Sequence, residues 1–256
     1  MKNCDESENQ NDNMSILEHI EELRKRLMII VVFFVLASII GFFLSQPLIR
    51  YLQEASAVQE LVMNAFKPTD PFKVYMQTTF LIGILLTSPV ILYQLWAFIS
   101  PGLLARERRA TLSYIPVSVL LFLAGISFSY FILFPFVIRF MLNLSGSMGI
   151  ETTIGINEYF QFLFQITIPF GLLFQLPVLL LFLTRLGIIT PEYLTKIRKY
   201  AYFVLLVIAA FITPPDVLSH MMVTVPLLIL YEISVWISKI GYKKAQKAKQ
   251  RAEQEE

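Results

Sequence analysis

Charge is what this chain has least of. Only 16% of its 256 residues are Asp, Glu, Lys or Arg, and 56% are hydrophobic, against about 25% and roughly 45–50% in soluble domains. That excludes an ordinary soluble globular protein. The 21 basic and 19 acidic residues leave a net charge of +2, so bulk electrostatics give no support for a nucleic-acid partner. A single cysteine, Cys4, excludes an internal disulfide. There are two histidines, His19 and His220, with no HExxH, no Cys/His metal spacing and no phosphate-binding glycine loop. No Ser/His arrangement or intramembrane Asp pair appears either. Enzyme activity, a cofactor and a bound metal are therefore not expected.

What the chain does have is apolar runs of bilayer-spanning length, about 20 helical residues for a core of roughly 30 Å. The charges collect between them, at residues 1–26, 104–112, 185–199 and 239–256. Six spans fit best: 27–45, 75–99, 113–138, 159–183, 200–213 and 221–238. The first run is longer than the roughly 7–15 residues of a signal h-region, so it reads as a retained span. The fifth ends at Pro214-Pro215 and is only about 21 Å long at 1.5 Å per residue. A five-span reading, with 200–238 as a re-entrant hairpin, competes with the six. The expected organisation is a tail and amphipathic helix (1–26), a membrane domain (27–238) and a charged tail (239–256). Lys and Arg decide the orientation. The tail (Lys2, Arg24, Lys25, Arg26), the second and fourth loops and the C-terminus share one side. The other side holds little beyond Arg50 and Lys67. Both termini are thus expected in the cytoplasm. The outer loop 46–71 carries apolar residues spaced for short amphipathic helices lying across the outer surface. Prolines 89, 116, 135, 169, 177 and 226 fall inside spans, where each removes a backbone hydrogen bond and favours a kink.

Some polar residues stand out against this background. In "SILEHIEELRKRL" (15–27), Ser15 and Glu18 form a capping box. Ile16, Leu17, Ile20, Leu23 and Leu27 make one apolar stripe, so a helix on the membrane surface is expected before the first span. Arg24 lies beside the stripe and can snorkel to phosphates. Glu22 faces Arg26 at i, i+4, and Glu21 faces Lys25, each pair worth about 0.2–0.5 kcal/mol. One reading is a self-paired surface helix; the other leaves an acid to receive a cation. Glu107 sits among Arg106, Arg108 and Arg109. Either it is a local ion pair, worth about 0–1 kcal/mol, or it receives a guanidinium through two hydrogen bonds. Glu232 is the clearest ionisable residue inside a span, a functional candidate that could also reach the interface. Gln175, followed by Pro177, is placed to hydrogen-bond a neighbouring helix.

Four segments in order resemble the TatC family, the multi-span core of the twin-arginine protein translocase. They are "HIEELRKRL" (19–27), "SPVILYQLWAFISPGL" with "RERR" (88–109), "FQLPVLLLFLTRLGIITPE" (174–192) and "ITPPDVLSH" (212–220). The resemblance covers about residues 15–242. It implies an all-α integral membrane protein with six transmembrane helices, an N-terminal amphipathic interfacial helix and an outer-face cap. It further implies a receptor in a bacterial cytoplasmic membrane that binds twin-arginine signal peptides of folded precursors. Such a receptor assembles with TatA/TatB-type single-span proteins, self-associates, and works on the protonmotive force. By the same resemblance Glu22 and Glu107 receive the signal's arginines, with Phe98 near the binding face. Pro47 and Phe72 match positions on the outer cap and at the start of span two. Asp216 matches an outer "PPD" turn or partner contact. Gln175 matches a concave-face position often occupied by Glu. Two other functions compete: a small-solute transporter, which would show inverted repeats and midplane ion ligands, and a scaffold, which would tolerate loss of Glu22 and Glu107.

Overall fold

The computed structural model describes residues 16–54, 63–99, 114–150, 152–185, 187–213 and 217–254. Glu107, Asp216 and Ser15 lie outside these residues. The elements in chain order are α1 (Ile16–Glu54), β1 (Met63–Asn64), α2 (Asp70–Ile99), α3 (Tyr114–Phe128), a π-helical turn (Ser129–Leu133), α4 (Phe134–Ser147) and β2 (Ile154–Gly155). They continue with α5 (Ile156–Leu173), α6 (Leu176–Arg185), α7 (Pro191–Lys196), α8 (Arg198–Ile212) and α9 (Val217–Gln254). Five helical segments, the third and fourth each running through a local break, are long and apolar enough to cross a membrane. The sixth span is α8. At 15 residues it reaches about 22 Å, short of the roughly 30 Å hydrocarbon core.

Helix α1 corrects two expectations about boundaries. Its 39 residues run without a break from the amphipathic stretch through the first span. It also continues to Glu54, so residues 46–54 are the end of α1, not a separate helix lying across the outer surface. At about 58 Å it outreaches the bilayer at both ends. Pro47 sits inside it, and nearby the Tyr75 hydroxyl donates to the Phe42 carbonyl at 2.6 Å, tying the turn before the proline to α2.

Proline also explains the breaks in spans three and four. Pro135 has no N–H for the carbonyl of Phe131, and the π turn immediately before it absorbs the mismatch, with Phe134 N–H donating to Ser129 O. Pro177 likewise leaves the Leu173 carbonyl without its helical donor, and the helix is interrupted at Phe174–Gln175. Gly149 (φ 70°) and Gly187 (φ 74°) end α4 and α6. Each supplies the left-handed residue of a closing motif, with Ile150 N–H to Ser145 O and Ile188 N–H to Leu183 O.

Small residues hold the bundle together. Between lipid-soluble helices apolar burial drives little, so backbones must approach closely. Gly41 and Ser45 on α1 face Thr79 on α2, and Gly83 on α2 faces Ser38 on α1. A methyl group added to Gly41 would lie 2.7 Å from the Thr79 carbonyl oxygen, and Ser45 Oγ is 2.7 Å from Thr79 Oγ1. The device recurs between α3 and α5: Gly125 meets the Phe170 carbonyl, and one turn on Ser129 Oγ lies 3.4 Å from Thr167 Oγ1. It recurs again between α6 and α9, where the Thr184 and Ser238 hydroxyls pair. The buried core gathers around α5, with Tyr159, Phe160, Ile166 and Phe170 essentially inaccessible. Phe134 stacks edge-on against Tyr159 at 5.1 Å. At the end of the bundle where α1 finishes and α2 begins, Met63 and Asn64 pair in parallel with Ile154 and Gly155. This bridge and the buried Asp70, whose Oδ2 accepts from Lys67 N–H at 2.8 Å, form the described part of the cap.

Candidate functional site

At the end of the bundle that carries the start of α1, three polar side chains meet. Arg26 Nε donates to Glu22 Oε1 at 3.0 Å, its Nη2 reaches the same oxygen, and its Nη1 donates to Gln94 Oε1 on α2 at 3.2 Å. The expected i, i+4 pair is therefore present, and it is half-buried, with both side chains 21% exposed. Glu22 is not used up by it. Its Oε2 is shielded from solvent and accepts no hydrogen bond among the described residues. Gln94 is itself buried, and Phe98, one turn further on the same face of α2, is partly buried. Gln94 escaped notice in the sequence. The one signal available was a neutral amide at the end of an apolar span, facing the charged stretch of α1.

The remaining candidates are spread over the fold. Arg24 is exposed and lies about 200° around α1 from Glu22, so it does not join the Glu22 cluster. Pro47 and Phe72 are exposed at the opposite end of α1 and α2. Glu232 has ordinary partners: Arg198 Nη2 lies 2.8 Å from its Oε2, and the Tyr202 hydroxyl donates to its Oε1. It closes α8 onto α9. Both members of the ion pair are more than a third exposed, so Glu232→Gln is expected to cost less than about 1 kcal/mol, read as a small shift in a thermal melt in detergent.

Gln175 lies at the break between α5 and α6, where its Nε2 donates to the Ser118 carbonyl on α3 at 2.9 Å. With Ser88 and Ser118 it supplies the polar lining of a cavity of about 330 Å³ otherwise walled by apolar side chains such as Ile91, Phe122 and Phe182. Gln175→Leu is expected to cost about 0.5–1.5 kcal/mol, the worth of one net hydrogen bond, measurable in the same melt.

The Sec-independent protein translocase protein (TatC) family model matches residues 18–226. The chain belongs to the TatC family. It is 68% identical to the Sec-independent protein translocase protein TatCy of Bacillus subtilis (strain 168), over 93% of each chain. It is 42% identical to TatCd of the same organism, over 90% of this chain and 93% of that one. The crystal structure of a twin arginine translocase receptor, TatC, superposes with a TM-score of 0.78 at 35% identity, covering 88% of this chain and 99% of that one. As a TatC protein the chain is a multi-span membrane component of a bacterial protein translocase, not an enzyme.

Proposed function

We propose that this TatC protein is the receptor that binds the paired arginines of twin-arginine signal peptides on folded precursors, with Glu22 as one of the two receiving acids. One observation carries this reading. Glu22 presents a buried oxygen with no hydrogen-bond donor among the described residues, beside an oxygen already held by Arg26, and a desolvated carboxylate oxygen calls for a cationic donor. Glu107, in the following basic loop, is the second acid. The two face the cytoplasm, because Lys and Arg concentrate on that side and both termini lie there. The basic residues around Glu107 hold the loop at anionic lipid. Single-span TatA/TatB-type partners and further copies of the chain complete the translocase in the cytoplasmic membrane, driven by the protonmotive force. The tails flanking residues 27–238 stay on the cytoplasmic side, with the exposed Pro47 and Phe72 on the outer face available to partners.

The test is photo-cross-linking of a signal peptide to the protein in membranes, comparing Arg-Arg with Lys-Lys peptides. Labelling is expected to need the arginines and to fall in Glu107→Ala by about tenfold, the loss of one charge-assisted hydrogen-bonded pair. Labelling indifferent to the arginines and to both acids would reduce Glu22 and Glu107 to local ion pairs and favour a passive scaffold.

A further inference from the structure

The receptor reading makes Glu22 an acceptor but leaves open why arginine would be preferred over lysine. The surroundings of Glu22 bear on that. An isolated carboxylate offers a full negative charge and two equivalent oxygens, and a compact ammonium satisfies it almost as well as a guanidinium. Glu22 is not isolated. Arg26 places Nε and Nη2 on Oε1 and Nη1 on Gln94, so all three guanidinium nitrogens are engaged and their direction is set from two helices. The pair is formally neutral, and only Oε2 remains open, already shielded from water.

We infer that Arg26, held by Gln94, is a specificity-determining positioning residue that makes the Glu22 site select a guanidinium over an ammonium. The inference rests on the receptor reading above. Its physical basis is the difference between a point charge and a planar fork. A lysine gains mainly from net charge, which Arg26 has cancelled, and loses its strong hydration on entering a shielded site. A guanidinium is weakly hydrated and gains from directed hydrogen bonds to an oxygen whose desolvation is already built into the fold. Gln94 matters because a neutral acceptor fixes the third nitrogen without adding charge, keeping the cluster neutral.

The experiment uses the full-length protein in membranes and the same photoreactive Arg-Arg and Lys-Lys peptides, read as the ratio of their labelling. In Arg26→Gln the ratio is expected to fall by about fivefold or more, chiefly because Lys-Lys labelling rises at the uncovered charge. Gln94→Leu, which alters no charge, should lower the ratio in the same direction. The double variant should be no worse than Arg26→Gln alone, since both act along one path. A merely structural role would lower both labels together and leave the ratio alone, and that result overturns the inference. So does a higher ratio in Arg26→Gln, which would make Arg26 a competitor for the site. If Arg26→Gln fails to accumulate, Gln94→Leu carries the test. Failure of the receptor reading looks different: the unaltered protein would then label both peptides equally, and the inference would fall with it.

Discussion

Gly41→Leu is expected to separate α1 from α2 and to be the most damaging single apolar substitution in the bundle. A Cβ at Gly41 would already sit 2.7 Å from the Thr79 carbonyl oxygen, and that atom is backbone, fixed by the helix it belongs to. The contrast with Gly83 is instructive. There the nearest atom is the Ser38 hydroxyl at 2.6 Å, which can rotate away. Overpacking a well-filled site costs about 1–3 kcal/mol and occasionally more, and Gly41→Leu belongs at or above the upper end, with Gly83→Ala well below it. Gly146, with nothing within 4 Å of an added Cβ, provides the silent control. Gly146→Ala should leave stability unchanged or raise it by about 0.5–1 kcal/mol, because glycine is a poor helix residue. Thermal unfolding in detergent ranks the three. Equal melting temperatures for Gly41→Leu and Gly146→Ala would mean that close approach of α1 and α2 contributes nothing.

Glu22→Ala is expected to reduce export of a twin-arginine reporter by roughly ten- to a hundredfold, matching the about 1.5–3 kcal/mol carried by hydrogen bonds to a charged group. Protein level should hold. The Glu22–Arg26 pair is half-buried at one end of the bundle, and Arg26 keeps Gln94 as a partner, so the fold loses about 1 kcal/mol or less. The two effects are separated by measuring accumulation beside export. Export within twofold of the unaltered protein would remove Glu22 from recognition, whatever the geometry around it.

The number of spans was legible because hydropathy reports directly on the bilayer, and the Glu22–Arg26 pair because i, i+4 spacing puts both residues on one helix face. The helix ends were not. Residues 46–54 carry the apolar spacing of a surface helix, yet they extend α1, since nothing in the local pattern distinguishes a new amphipathic helix from the overhang of an old one. Pro47 makes a break look more plausible than it is. The close packing was also hidden. Gly41 and Ser45 add little to hydropathy, and their four-residue spacing gains meaning only once Thr79 is seen opposite. Glu232 illustrates the converse. An acid in a span suggested function, but the residue that satisfies it, Arg198, lies in another helix beyond the reach of spacing rules. Gln94 was missed for the same reason: its role depends on Arg26, a residue on a different helix.

The small parallel bridge between β1 and β2 sets when the cap can close as the chain is made. Its strands, Met63–Asn64 and Ile154–Gly155, lie on either side of α2, α3 and α4, so one partner leaves the ribosome long before the other. The first strand must wait, unpaired, while two spans are threaded through the bilayer. The cap therefore closes only after α4 has delivered the second strand to the far side. A nascent chain that stalls before residue 154 leaves β1 without its partner strand, so the cap is the last part of this end of the bundle to close.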